Sequence, residues 1–425
     1  MKLAIIGSGI AGCASAYFSR KHVPDLEKIT IYEKSERYGG RLYFIKVDSI
    51  INEIGATFFH TINLNMQFFV NKFGLEVDEY AFPTLGVWNG NNFIFKSGFL
   101  NDLRLLVRYR LSAWRLLRLI KKAKKEVLLI YDNSRLEKAY TTVEELLGIP
   151  YIKQLISKSL YDVLREAGIS DKLIYELLEP GVRYIYCQNI NIGGFAGIAT
   201  IVASDRTPIH KLKMGNVTLL EKLVDEAQAQ IKLNHKVTKI SKTENKSYII
   251  EGDSFKDEYD AVILAAPIEQ LCITFSGLNL PVMEYREFQR VYVNILTGEI
   301  NSSYFGMQKP EEVPEMLMTV SDFKGSFNNI EMLGKTKDGE NIYNLIAVEP
   351  IPNELMDQLF FQKKLLKEHV WEYAYPKSKP IKKFQPIVLN KRLYYVNAVE
   401  SAASTMEASI LGAKNIALLL KKSLG

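Results

Sequence analysis

A chain of 425 residues in which 47% are hydrophobic and 24% charged has ample apolar material for a large buried core, which excludes disorder as the default. A net charge of +6 is mild for this length, so total charge excludes a nucleic-acid partner unless a concentrated patch supports one. Three widely spaced cysteines, Cys13, Cys187 and Cys272, exclude a disulfide framework and a CxxC metal pair, so no metal is expected and a reducing compartment is the simpler setting.

Met1 is followed at once by the apolar run Lys2-Leu-Ala-Ile-Ile6, which leaves no room for a signal peptide. No stretch reaches the ~18 apolar residues of a membrane span. The expected location is therefore cytoplasmic or peripheral to a membrane. The run itself reads as a buried strand. A glycine-rich turn follows, then Ile10, Ala14, Tyr17 and Phe18 at helical spacing, then a second strand from Lys28 to Tyr32. This βαβ beginning predicts a parallel sheet with right-handed crossover.

Further along, a long helix is predicted over 99–130 and more helical segments over 142–178, punctuated by Gly148, Pro150 and Gly168. From Ile231 the segments 231–233, 236–240 and 246–250 alternate as a meander, and 259–267 reads as a buried strand ending at Pro267. The block 271–386 is strand-rich, with a turn at Lys337-Asp-Gly339 and a helix expected over 353–373. Leu393-Tyr-Tyr-Val-Asn397 is a last strand before an Ala- and Leu-rich helix to Leu420. These alternations predict an α/β protein with two interleaved domains, one made of 1–85, 205–270 and 386–425 and the other of 86–204 and 271–385.

The turn reads Gly7-Ser-Gly9-Ile10-Ala11-Gly12, and Glu33 closes the second strand 21 residues after Gly12. Gly7 permits the tight turn, Gly9 lets backbone N–H groups approach a pyrophosphate, and Gly12 lets helix and strand pack closely. The helix N-terminus adds positive potential, and Glu33 suits the ribose hydroxyls of an adenosine without a 2′-phosphate. With strand, helix and acid all in place, the dinucleotide reading outweighs a plain turn. The motif alone leaves NAD and FAD open.

Lys34 and then Gly39-Gly40-Arg41 follow, and a second glycine turn, Glu53-Ile-Gly55-Ala56-Thr57, comes after another strand. This pattern resembles the flavin-dependent amine-oxidase-like superfamily, which implies FAD, an Arg41 that cradles the pyrophosphate through its planar fork, and Gly55 to His60 beside the isoalloxazine ring. In that resemblance the domain holding Gly7 is a Rossmann-type FAD-binding domain interleaved with an α+β substrate domain. His60 stands where some polyamine-oxidising relatives carry an active-site histidine, although a histidine beside two phenylalanines also suits a core. Val237 lies in the strand implied for the adenine, Ala266 ends a strand that returns to the cofactor, and the helix entered through Glu400 and Glu407 would aim its N–H groups at the flavin pyrimidine.

Within the superfamily, Phe58-Phe59-His60 with Met66-Gln67, the string Asn301-Ser-Ser-Tyr304-Phe305-Gly306, and the end from Leu393 to Ala417 resemble the prenylcysteine oxidase family over nearly the whole chain. The resemblance implies an FAD-dependent thioether oxidase of farnesyl- or geranylgeranyl-cysteine. A hydride leaves the allylic carbon bonded to sulfur for flavin N5, water adds, and the hemithioacetal collapses to a prenyl aldehyde and cysteine, with oxygen becoming hydrogen peroxide. Two departures stand on the cofactor or substrate side: Met214-Gly215-Asn216 replaces a Gly-Gly-Asn turn, and Ser401 replaces a bulky aromatic residue. An oxidase for amines or another apolar substrate, and a non-catalytic FAD-containing lipid-binding protein, remain open.

The segment 103–125 is basic and amphipathic. Leu103, Val107, Leu111, Trp114 and Leu117 recur at helical spacing, with Arg104, Arg108, Arg115, Arg118 and Lys122 on the other face and Arg110, Lys121, Lys124 and Lys125 adding charge. Such a helix suits peripheral contact with an anionic membrane, or equally a solvated face over a packed stripe. Its basic residues are not interleaved with exposed aromatics at stacking positions, so it offers no stacking platform for nucleic acid.

Overall fold

A computed structural model describes residues 1–79, 83–98, 101–202 and 208–424, the side chains of 101–104 excepted. At its centre is a six-stranded sheet in the order Gln230–Lys232, Lys28–Tyr32, Lys2–Ile6, Ala261–Leu264, Leu393–Tyr395, Val388–Asn390. The first five strands are parallel and the last runs antiparallel. Lys2–Ile6 and Ala261–Leu264 are apolar almost throughout because both faces are covered, as parallel sheets require. Helices Ile10–His22, Val217–Ala227 and Met406–Lys422, together with Val237, Ile240, Tyr248 and Ile250 of a second sheet, share one apolar core with it.

Beside it lies a four-stranded sheet, Phe255–Tyr259, Tyr248–Gly252, Val237–Lys242 and Thr274–Ser276. The expected meander therefore keeps only the last two of its three candidate strands and gains Phe255–Tyr259, which was not among the candidates. Gln230–Lys232 leaves it for the edge of the parallel sheet, where it pairs with Thr30, Ile31 and Tyr32.

A seven-stranded sheet carries the other half of the molecule, in the order Phe360–Pro376, Phe288–Ile300, Asn341–Ala347, Asn329–Lys335, Met316–Thr319, Leu85–Trp88, Phe93–Lys96. The helix expected over 353–373 stops at Leu359, and Phe360–Pro376 is a 17-residue strand antiparallel to Phe288–Ile300. Phe360, Phe361, Val370, Trp371 and Tyr375 favour a pleated surface, and the long partner strand supplies hydrogen bonds that outweigh the apparent helical spacing. Lys363, Lys364, Lys367 and Glu368 stud this strand, the usual protection of a sheet edge.

The strands also shift the points where the chain crosses between halves. Leu85–Trp88 belongs wholly to the seven-stranded sheet, and Thr274–Ser276 remains with the four-stranded one, so the crossing expected after 270 falls after 276. The boundary expected at 204/205 lies outside the described residues.

The helix expected over 99–130 begins outside the described residues at Phe99 and is two helices, Asn101–Tyr109 and Leu111–Leu128. Arg110, with φ 46°, is left-handed and breaks the hydrogen-bond ladder between them. The same apolar stripe faces outward on both sides of the break. Val107, Leu111, Trp114 and Leu117 are exposed, whereas Tyr109, Ser112, Ile120 and Ala123 are buried. The side chains of Leu103 and Arg104 lie outside the described residues.

Candidate active site

Two glycine turns meet back to back at the end of the first strand. Gly7, with φ 110°, donates its N–H to Tyr32 O at 2.8 Å, and Gly39 donates to Ser8 O at 3.1 Å. Each glycine answers to a different constraint. A Cβ on Gly12 would lie 2.0 Å from Gly7 O, and one on Gly55 would lie 2.0 Å from Arg41 O, so close backbone packing requires both. Gly9 differs: its Cβ would sit 3.8 Å from Gly39 O, an ordinary contact, and its φ of −72° suits any residue. The chain itself does not demand a glycine there; a group approaching from outside would.

The helix beyond Gly9 starts with no side-chain cap and no acid in its first turn. Its leading N–H groups at Ile10 and Ala11 are therefore available to an anion. Glu33, buried at the strand end, accepts from Ser8 N at 3.1 Å, Ser8 Oγ at 2.7 Å and Ser35 N at 3.0 Å. A carboxylate has about four lone-pair sites, which leaves one for a ribose hydroxyl. Backbone N–H groups of Asn234 and His235 bond Ser35 O and Glu33 O, which sets Val237 close by. Ala266 adjoins Gly7, its Cβ 3.2 Å from where a Gly7 Cβ would stand. Lys34 and Gly40 are exposed at the groove, and Gly40 adopts φ 57° against Gly9.

Arg41 and Glu400, expected to face the cofactor separately, are paired with each other. Arg41 also donates to Ala374 O at 3.1 Å. Glu400 accepts from Ser404 Oγ at 3.0 Å and stands 3.7 Å from Arg286, which forks onto Glu269 at 2.8 and 2.9 Å and donates to Tyr395 OH at 2.8 Å. Burial pushes the Glu400 carboxyl up, but the two guanidinium groups outweigh it and hold it below the usual range. Glu400 is thus an anchor for Arg41 within an ionic chain.

Glu407 is corrected in the same sense. Its Oε1 accepts from Asn65 N, Asn65 Nδ2 and Tyr131 OH at 2.9, 2.7 and 2.8 Å, and its Oε2 accepts from Met66 N at 3.0 Å. Those bonds cap the helix Leu64–Phe73 and tie it to the last helix. The helix Met406–Lys422 itself is capped by Thr405 Oγ1, which accepts from Ala408 N.

From Gly55, Ala56 and Thr57 to Ala402–Thr405 opens a cavity of about 2060 Å³. It is at least twice the usual ~300–1,000 Å³ of a ligand pocket, enough for a ring system and a long chain together. Helical side chains such as Tyr109, Leu116, Leu177 and Phe195 wall it, and Met316, Met318 and Ile346 of the seven-stranded sheet floor it. His60 lines it too, buried in a short strand; its Nδ1 accepts from Ile62 N at 3.0 Å, so the neutral ring carries its proton on Nε2. The glycine loop, Arg41 and Glu400 lie outside this cavity.

Glu53 was quoted in the sequence only as the start of a glycine turn. It lines the cavity, accepts from Asn216 N at 2.6 Å through Oε1, and has no hydrogen-bond partner for Oε2 among the described residues. Burial pushes its carboxyl up to about 7 against the Asn216 bond. An acid two residues before a glycine at a strand end was the signal. Arg286 and Glu269 gave none, since 17 residues separate them.

The model of the prenylcysteine lyase family matches residues 95–424, and that of an NAD(P)-binding Rossmann-like domain matches 5–73. The chain belongs to the prenylcysteine lyase family. Farnesylcysteine lyase of Arabidopsis thaliana is 30% identical over 98% of this chain and 87% of its own length. Prenylcysteine oxidase 1 of Homo sapiens is 28% identical over 98% and 88%. Among solved structures, putrescine oxidase bound to putrescine superposes with a TM-score of 0.65 at 14% identity, covering 98% of both chains. A fatty acid isomerase from P. acnes reaches 0.68 at 14% identity, covering 97% of this chain and 96% of its own. This member of the prenylcysteine lyase family therefore has the two-domain fold of amine-oxidase-like flavoproteins. Its residues fit FAD: Gly9 leaves a cradle that a Cβ would fill, and the cavity begins at the second glycine turn.

Proposed function

We propose that this protein is an FAD-dependent oxidase that cleaves farnesyl- or geranylgeranyl-cysteine, with water and oxygen, into cysteine, a prenyl aldehyde and hydrogen peroxide. The observation that carries the reading is the apolar cavity of about 2060 Å³ opening from Gly55–Thr57 in a chain of this family. FAD, when bound, supplies two-electron oxidation of the carbon next to sulfur.

The rest is the protein's contribution. Gly7 shapes the turn, Gly9, Ile10, Ala11 and Gly12 receive the pyrophosphate on backbone N–H groups, Glu33 takes a ribose hydroxyl, and the backbone at Val237 takes the adenine. Arg41, held by Glu400, turns its remaining donors to the phosphates, beside Gly40 and the exposed Lys34. Ala56, Thr57 and Ala266 flank the ring. The apolar walls hold the prenyl chain extended and limit water near the reacting carbon. His60 holds a proton at Nε2 on the substrate side. The substrate reaches the cavity by peripheral contact with a membrane through the segment 103–125.

The test is the absorption spectrum of the purified protein, followed anaerobically as farnesylcysteine is added. Flavin bands that bleach with farnesylcysteine, and peroxide formed on admitting air, are expected. Flavin bleached only by amines would replace the substrate, and a spectrum without flavin bands would sink the reading.

A further inference from the structure

The helices Asn101–Tyr109 and Leu111–Leu128 are a partition between the cavity and the outside. Leu105, Tyr109, Ala113, Leu116 and Ile120 line the cavity on one side. On the other, Val107, Leu111, Trp114 and Leu117 are 67, 62, 50 and 59% exposed. Single exposed apolar residues are ordinary; four within one stretch of eleven form a patch that water disfavours. Leu106 and Leu117 belong to both sides, exposed and lining the cavity at once.

The charge around the patch names its partner. Leu111–Leu128 contains Arg115, Arg118, Lys121, Lys122, Lys124 and Lys125 against the single acid Glu126. Several of these are engaged: Arg115 donates to Gly168 O at 2.7 Å, and Arg118 lies over the Trp114 ring at 4.6 Å, as Lys122 does over Tyr151. Arg110, Lys121 and Lys125 are exposed and meet no acidic group among the described residues. Exposed apolar side chains interspersed with unneutralised cations on one helix face complement an anionic bilayer, whose surface accepts the charges while its acyl region accepts the apolar tips.

We propose that this face docks on an anionic lipid bilayer, with Leu111 and Trp114 inserted and Lys121 and Lys125 against the headgroups. Leu106 and Leu117 then mark the mouth through which a prenyl chain slides from lipid into the cavity without crossing water. The docking stands on the surface alone, whereas the mouth rests on the prenylcysteine reading.

Holoenzyme is sedimented with phosphatidylcholine vesicles with and without phosphatidylserine. Binding to the anionic vesicles, weakened by salt, is expected, with a blue shift of tryptophan emission that disappears in Trp114→Phe. Leu111→Asp/Trp114→Asp is expected to bind at least ~10-fold more weakly while keeping its flavin and its turnover of farnesylcysteine in free solution, and Lys121→Gln/Lys125→Gln to lose the preference for phosphatidylserine. Wild-type protein that ignores anionic vesicles, or an aspartate variant that binds like wild type, overturns the docking. Vesicle binding is read without substrate. Protein that binds vesicles but oxidises no prenylcysteine overturns the proposed activity and supports the surface, and the reverse result overturns the surface alone.

Discussion

The groove at Gly7–Gly12 and the cavity beyond Gly55 are built from different material. The groove is backbone against backbone: a Cβ on Gly12 would lie 2.0 Å from Gly7 O, and one on Gly7 would lie 2.8 Å from Ala265 O. The cavity is walled by long, flexible side chains such as Leu116, Leu177, Met316 and Met318. Backbone atoms in a sheet and a helix cannot yield without moving whole elements, whereas Leu and Met rotamers adjust locally. The groove is thus rigid about what it holds and the cavity adaptable in shape.

The sharpest break of that contrast lies within the loop. Gly12→Ala forces a Cβ onto a carbonyl oxygen and is expected to cost more than the ~1–3 kcal/mol of ordinary overpacking, read as loss of folded protein in urea titration. A variant as stable as wild type would show the turn to be softer than its contacts imply.

Glu400→Gln comes next. It keeps the shape but leaves Arg41 beside a neutral amide, with Arg286 still held by Glu269, and removing one partner of a buried ionic network costs about 3–5 kcal/mol. A loss under about 1 kcal/mol in the same titration would show that the network contributes little.

Glu53 tests the cavity rim through pH. Its folded value, about 7, lies above its ordinary 4.5, so between these values the native state keeps a proton that the unfolded chain has released. Stability therefore falls as pH rises through that window, by about 3 kcal/mol at most, and Glu53→Gln should flatten the fall. Parallel pH profiles for both proteins would contradict a buried, protonated Glu53.

Gly9→Ala sharpens the contrast from the other side. Its Cβ meets nothing closer than 3.8 Å, so stability should be unchanged, while FAD affinity, followed by flavin fluorescence on dilution, falls by at least ~10-fold, about 1.4 kcal/mol. Equal affinity would mean that the pyrophosphate lies elsewhere. The smallest effect is expected in the cavity, where Leu116→Ala should leave flavin binding intact and change the KM for farnesylcysteine by only about threefold as neighbouring side chains repack.

The glycine spacing, the strands flanking it and Glu33 were legible because each acts within a few residues of itself. A left-handed turn, a close helix and a strand-end acid have local signatures, and the family motifs extended that reading across the chain. What the local pattern could not carry was direction. The spacing of Val107, Leu111, Trp114 and Leu117 is helical, but only the packing of Tyr109, Ile120 and Ala123 into the core decides that this stripe faces outward. The run after Leu359 alternates ambiguously, and only the facing strand Phe288–Ile300 makes it a strand. Glu400 and Glu407 look alike as acids near a helix N-terminus; one closes an ionic chain through Arg286 and the other caps a helix begun some 340 residues earlier. The dinucleotide loop and the strands flanking it were thus determined by the sequence alone, because their energetics are short-ranged. Burial, the pairing of charges and the shape of the cavity were decided by the tertiary structure, because each depends on groups that only the folded chain brings within a few ångströms.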